Sequence, residues 1–420
     1  MEDAFIIRGG KPLKGVVTLS GAKNVAIKAV IAALLFDGAV TLHNIPQIGD
    51  IFELLHLIQT LGGKAEFTAA NTVVVDGGRM KENKLDFLHA SKIRVSFLLF
   101  APLLYRFKQA FIPNPGGCRI GARPIDRIVA GMKDLGVEVF YDSDTGYYQA
   151  KIPHKPEGTF TFSKPSHTGT ELMILLSVFC RGVVTIRNCA LEPEIDDLIS
   201  FLNAGGAKIS RKNTDIYIQG VDKLVQKEAY SIVCDRNEAI TFAIAGIITK
   251  GDVVIKSIPE DYIKTFIEKI KQVGGGFERK EKNALRFFYK GKFTSSKVVT
   301  DVYPGFMTDW QPNWAVLMTQ AKGISLIHEK VFENRFSYVE ELVKVGAKIE
   351  YFSLKVKDPA SFYGFNFDTS KTYRQAIQIH GGQHLHNGVL NVADLRAGAT
   401  LAIAALLSKG ESIVNGASIL

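Results

Sequence analysis

Cysteine is scarce in this chain, 4 in 420 residues, and no two are spaced as Cys-x-x-Cys. That spacing is what thiolate-bound zinc and redox dithiols need, and a disulfide framework needs denser cysteine, so a reducing compartment is expected. Long apolar runs are lacking as well. The stretch 27–36 is interrupted by Lys28 and is too short to cross a bilayer. Glu2 and Asp3 stand where a secretory leader would be basic, so the expectation is a cytoplasmic protein. Blocks of like charge are also missing. Lys and Arg exceed Asp and Glu by 51 to 42, but they are scattered, with no basic stripe interleaved with aromatics. Scattered charge disfavours nucleic acid or a membrane surface and leaves small anions as the partners that a net charge of +9 favours. His384-x-His386 can chelate on a strand, yet no third ligand follows at a usable spacing, and no metal is expected.

A chain of 420 residues exceeds one ordinary core and suggests two domains, and 46% hydrophobic with 22% charged residues is the composition of a globular protein. The most informative segment is Pro115-Gly116-Gly117-Cys118-Arg119-Ile120-Gly121-Ala122-Arg123-Pro124. It sets a thiol among glycines beside two arginines, with no carboxylate nearby. Positive charge favours the thiolate, and glycine lets a loop close over a substrate, so Cys118 reads as a reactive cysteine handling an anion. Cys180, by contrast, sits in the apolar run Val178-Phe179-Cys180.

The chain also repeats itself. A polar residue, an apolar helix of about four turns, a short turn and a strand recur six times. Gly38, Gly182, Gly251, Gly323 and Gly410 mark the turn, and Lys108 stands there in the second copy. Fourteen residues before each marker stand Asn24, Arg94, Thr168, Asn237, Asp309 and Arg396, where a helix should begin. Second amphipathic helices over 54–61, 128–135, 198–202, 263–273 and 339–345 each end in a glycine turn before another strand. Each copy thus reads β-α-β-α-β. Free N–H groups at helix starts attract anions. Asn24, Thr168, Asn237 and Asp309 would equally serve as N-caps, whereas Arg94 and Arg396 are poor caps and fit better beside an anion.

Further short motifs follow in order: Ser20-Gly21-Ala22-Lys23-Asn24, Glu192-Pro193-Glu194-Ile195, Thr308-Asp309 with Gln311, Phe332-Glu333-Asn334-Arg335-Phe336 and Asp394-Leu395-Arg396-Ala397. With the Cys118 loop they make the chain, from about Phe5 onward, resemble the enolpyruvyl transferase family, and within it the branch acting on UDP-N-acetylglucosamine. The resemblance implies an α/β (α+β) fold of two inside-out α/β barrel domains built from six repeats, the last truncated. One domain would span 22–232 and carry the Cys118 loop and much of the UDP-sugar site. The other would join 1–21 to 233–420, with an insertion within 353–379. It implies addition–elimination in the cleft between the domains, from phosphoenolpyruvate to the 3-hydroxyl of UDP-N-acetylglucosamine, the step that opens peptidoglycan synthesis, with no cofactor.

The resemblance also implies roles. Lys23, Arg123 and Arg396 belong to the anion site, with Arg94 and Arg335 near it. Cys118 protonates or adds to phosphoenolpyruvate, and Asp309 is the base at the sugar hydroxyl. Asn24, Pro124, Asp126, Lys164, Ser166, Thr168 and Val331 contact the UDP-sugar, and Glu238 and Asp394 are acidic residues of the cleft. A structural ion pair would explain Glu238 as well. Trp310 and Trp314, four apart, read as core or cleft lining.

Two departures stand out. After Gly410 the sixth copy lacks the second helix and strand of the others, together with an arginine that the family uses for phosphoenolpyruvate. Gly323 to Gly410 spans 87 residues against 69 to 74 elsewhere, so copy five carries an insertion, read as a surface flap. The alternatives are a UDP-sugar-binding paralogue without activity and a shikimate-pathway enolpyruvyl transferase.

Overall fold

In a computed structural model the described residues are 3–116 and 125–417. Residues 3–19 with 235–417 form one compact unit, and residues 20–116 with 125–234 form another. Six sheets account for the strands among the described residues. In the second unit, Gly158–Thr161 runs parallel to Val183–Arg187, which pairs antiparallel with Asp215–Gln219, itself antiparallel to Lys208–Lys212. The order is therefore lead strand, strand after the first helix, hairpin-closing strand, strand after the second helix. It recurs where Lys14–Thr18 leads Asp252–Lys256, Ala284–Phe288 and Gly276–Glu281. It recurs again where Tyr230–Ser231 leads Val40–His43, Thr72–Asp76 and Lys64–Ala69.

The pattern β-α-β-α-β therefore falls one strand short: the second helix is followed by a hairpin, not a single strand. The hairpins turn at Asn213 and Asn283 in left-handed conformation, a turn chemistry that the short polar runs conceal in sequence. The strand after Gly410, Glu411–Asn415, finds its antiparallel neighbour in Ala4–Arg8, register Phe5↔Val414.

The first helices of the units are apolar all round, and such helices must be buried. Every residue from Val25 to Ala33 is buried, as are Gly169 to Ser177. In the unit holding 235–417, Arg236–Ile248, Gln311–Thr319 and Leu395–Leu407 pack on one another. The second helices bury only a stripe, for example Phe266, Ile267 and Ile270 of Lys264–Gln272. Two expected helices begin late. Arg94–Leu99 and Thr308–Trp310 are 3₁₀ turns, and the α-helices start at Phe100 and Gln311. Pro102 and Pro312, lacking an N–H, fit only a first α-helical turn. Lys108 takes the left-handed φ of 61° that glycine takes in its sister turns. Gly251 departs from that rule. Lys250 holds the left-handed φ there, and Gly251 is needed because a Cβ would lie 1.8 Å from the Leu13 carbonyl oxygen.

Trp310 and Trp314 are core residues, 1% and 0% exposed, edge-on to Phe306 and Phe266. His384 and His386 lie exposed in the loop between Ala376–His380 and Val389–Asn391, not on a strand. Among the described residues no group of three or more His, Cys, Asp or Glu side chains is placed to hold a metal. Nor is any described helix long and apolar enough to cross a membrane.

Candidate functional site

The helix starts are where sequence reading places the chemistry, and the caps there are not the residues expected. Ser166 Oγ accepts the Gly169 N–H at 3.2 Å, Asp235 accepts those of Asn237 and Glu238, and Asp394 accepts those of Arg396 and Ala397. Thr168, Asn237 and Arg396 follow their caps by two residues. Asn24 lies inside a helix whose N-cap, Ala22, has no side-chain hydrogen bond. Asn237 instead accepts the Trp310 indole N–H at 2.9 Å, inside the core. A capping residue needs extended backbone and a side chain that reaches forward, which Ser166, Asp235 and Asp394 have.

In the unit holding 235–417 the structure brings two of the expected residues onto the carboxylate of a third. Asp309 receives the Arg335 Nη2 donor on Oδ1 at 2.5 Å, and Arg396 Nε lies 3.3 Å from Oδ2. The Asp309 side chain is 22% exposed and that of Arg335 3%. Burial alone would raise the Asp309 pKa, but the charges of Arg396 and Arg335 outweigh it and lower it to about 2. Asp309 is thus locked as an anion and is a weak proton acceptor while both guanidinium groups face it. Arg335 Nε is buried and meets no acceptor among the described residues.

Asp394 lies on the adjoining helix start, where Ser337 Oγ donates to its Oδ2 at 2.8 Å. Glu238 is half-buried in the first turn of Arg236–Ile248. Val331 is half-buried, and its N–H donates to Glu329 Oε1 at 2.8 Å. Glu329, which sequence reading missed, is fully buried. Its other oxygen takes the Thr308 hydroxyl at 2.9 Å, and burial raises its pKa. The available signal was its place just before the Phe332 motif.

In the other unit the expected residues stand at separate helix starts. Lys23 opens its helix, with Asn24 beside it, and is ion-paired with Asp50. Arg94 Nη1 donates to the Pro115 carbonyl at 3.2 Å, tethering the backbone that leads into the cysteine loop. Lys164 and Thr168 are half-buried on either side of the Ser166 cap, and Asp126 is exposed at the start of Asp126–Asp134. Cys118, Arg123 and Pro124 lie outside the described residues.

Sequence reading also missed a buried charge cluster beside Thr168. Lys28 Nζ is 3.2 Å from Glu171 Oε2, and His167 Nε2 is 3.1 Å from Glu171 Oε1, with Glu171 fully buried. Lys28 hides in an apolar run and Glu171 in another, and only their packing shows that they meet.

The chain is thus a mixed α/β protein with a carboxylate set between two arginines at one helix start and a lysine at another. Crystal structures with this fold include the enolpyruvyl transferase NikO from Streptomyces tendae, TM-score 0.84 at 20% identity, covering 100% of this chain and 94% of that one. They also include EPSP synthase from Acinetobacter baumannii, TM-score 0.71 at 16% identity, covering 98% and 94%. The family model described as EPSP synthase (3-phosphoshikimate 1-carboxyvinyltransferase) matches residues 7–420, and the chain belongs to that family. Within it, the chain is 36% identical over 417 residues to a UDP-N-acetylglucosamine 1-carboxyvinyltransferase of Acidobacterium capsulatum, covering 98% of this chain and 90% of the relative. It is 37% identical over 409 residues to UDP-N-acetylglucosamine 1-carboxyvinyltransferase 3 of Caldanaerobacter subterraneus, covering 97% and 92%.

Proposed function

We propose that this chain is a cytoplasmic enzyme that moves the enolpyruvyl group of phosphoenolpyruvate onto the 3-hydroxyl of UDP-N-acetylglucosamine, releasing phosphate, the entry to peptidoglycan synthesis. The observation that carries the reading is the likeness over 98% of the chain to relatives of that name. The shikimate-pathway reading is weaker: the Acinetobacter baumannii EPSP synthase is only 16% identical. In architecture the reading takes two inside-out α/β barrels of three units each, over 22–232 and over 1–21 with 233–420.

In the reaction the sugar hydroxyl oxygen adds to C2 of phosphoenolpyruvate while C3 gains a proton. The C2–O–phosphate bond then breaks, and a proton leaves C3 to restore the double bond. Cys118 supplies the proton or adds covalently. Lys23, Arg123 and Arg396 take the phosphate and carboxylate, with Arg94 and Arg335 as supporting cations; an arginine fork fixes such an anion in two bonds. Asn24, Pro124, Asp126, Lys164, Ser166, Thr168 and Val331 hold the UDP-sugar, with Glu238 and Asp394 as acidic neighbours. Asp309 takes the hydroxyl proton. In the ligand-free chain the two arginines make it a poor base. Phosphoenolpyruvate, by engaging Arg396, removes part of the positive field and raises its basicity.

The test is phosphate release by the purified chain supplied with both substrates, alongside Asp309→Ala and Cys118→Ala. Release that needs both substrates, and that falls by at least about a hundredfold in Asp309→Ala, supports the reading. A folded chain that binds the UDP-sugar yet releases nothing would falsify it.

A further inference from the structure

Four hairpins of the same kind close through short turns, at residues 70–71, 143–146, 213–214 and 282–283. The fifth, between Lys348–Tyr351 and Ala376–His380, is joined by residues 352–375. Its base keeps the simple register Tyr351↔Ile377, so the sheet itself does not require the extra residues. The added segment is not a loose flap. Tyr363 and Phe365 are 5% and 6% exposed, and the Tyr363 ring stacks on Phe365 and Phe367.

Several polar contacts of the segment fall on residues 328–332. The Tyr363 hydroxyl meets His328 Nε2 at 3.0 Å, and the Gly364 N–H donates to the Lys330 carbonyl at 2.8 Å. Gln375 Nε2 donates to the carbonyls of Glu329 and Phe332 at 2.9 and 3.0 Å. The Arg374 guanidinium lies over the Tyr351 ring, whose hydroxyl donates to the Phe336 carbonyl. Within the stretch itself, the buried Glu329 carboxylate accepts the N–H groups of Val331 and Phe332. Residues 328–336 are thus held by the segment and by their own Glu329, and they include Val331 and Arg335.

We propose that segment 352–375 is a strut that presets the backbone of residues 328–336 and so sets how tightly the sugar of a sugar nucleotide is held, acting through Val331 rather than on the reacting atoms. This rests on the reading that Val331 meets that substrate. Fixing a recognition backbone before binding removes an ordering cost that the ligand would otherwise meet.

The deciding variant is Gly364→Pro, which removes the N–H donor to Lys330 and puts the ring Cδ where that hydrogen pointed, so the segment must move off the Lys330 carbonyl. Tyr363 already has the extended backbone, ψ 142°, that a residue before proline requires. A Cβ at 364 comes no closer than 3.4 Å, to the Val331 carbonyl. Gly364→Ala, which keeps the donor, is the control, and Tyr363→Phe removes the hydroxyl that meets His328. Phosphate release is followed with UDP-N-acetylglucosamine and phosphoenolpyruvate, and amide exchange is followed over 328–336. One lost hydrogen bond corresponds to roughly fivefold, so Gly364→Pro, which also displaces the segment, is expected to raise KM for the sugar nucleotide and the exchange at Val331 and Phe332 by at least about that factor. Values of kcat and KM for phosphoenolpyruvate stay within roughly twofold, and Gly364→Ala behaves as the parent. Equal rises in both KM values, a change in kcat alone, or no change overturns the strut. If the parent chain releases no phosphate, the substrate assignment fails instead, and the strut is judged by exchange: unchanged protection of 328–336 in Gly364→Pro ends it.

Discussion

Two aspartates show how one side chain acquires opposite chemistry from its surroundings. Asp309 is held near pKa 2 by Arg396 and Arg335 despite its burial. Its folded value lies below the ordinary carboxylate value, so its contribution to stability is present above about pH 4 and is lost as pH falls toward 2. Asp309→Asn is therefore expected to cost about 2 kcal/mol at pH 7, and the two proteins should converge at pH 2–3 in urea melts. Equal melts at pH 7 would refute the ion pairing. Asp197 is the opposite case. Buried, with Oδ1 taking the Tyr230 hydroxyl at 2.9 Å and the Val233 backbone N–H also facing the carboxyl, it is pushed by burial up to about 6. A folded carboxyl that protonates more readily than the unfolded one loses stability as pH rises from about 4 to 6. Asp197→Asn, which keeps the acceptor for Tyr230, is expected to stabilise by about 2–3 kcal/mol at pH 7.5 and by nothing below pH 4. A variant no more stable at pH 7.5 would show that the charge is accommodated.

At the scale of elements, the helix starts were legible and their caps were not. The apolar runs and the fourteen-residue spacing located the first helices, because a helix buried on nearly every face leaves an apolar run broader than an amphipathic stripe. Which nearby polar residue caps depends on a backbone conformation that spacing does not record, so Asn237 reads as a cap while Asp235 is the cap. Asp235→Ala is expected to cost about 1 kcal/mol in equilibrium melts, and Asn237→Ala to act through the Trp310 contact instead. The hairpin-closing strands escaped notice because a tight polar turn and a short strand look, in sequence, like the tail of the strand before them. The Lys28–Glu171 pair joins the helices Lys23–Ala33 and His167–Ser177. Removing Lys28 leaves the buried Glu171 carboxylate facing only His167 Nε2, so Lys28→Met should cost about 3–5 kcal/mol, and Lys28→Met with Glu171→Leu should recover most of it. If the double variant is no better than the single one, the pair is not what couples these helices.

At the scale of the whole molecule, the described cysteines Cys180, Cys189 and Cys234 are all buried, and burial pushes the Cys180 thiol up and that of Cys189 to about 12. A thiolate reagent in excess should therefore modify one cysteine of the native chain, Cys118, and all 4 in denaturant. Native labelling that survives Cys118→Ala would refute this. Local pattern was enough to reveal six apolar helices, the turns that end them, the charged residues at their starts and the long insertion, since periodicity, propensity and residue chemistry are short-range properties. Tertiary structure alone decided that Lys14–Thr18 leads the sheet of Asp252–Lys256, that Tyr230–Ser231 joins Val40–His43, and that Ala4–Arg8 lies beside Glu411–Asn415. It alone placed Asp309 between Arg335 and Arg396 and turned an apparent flap onto residues 328–336. Pairings between residues hundreds apart, and the charge states they impose, are set by which surfaces meet and exclude water, a property no window of sequence contains.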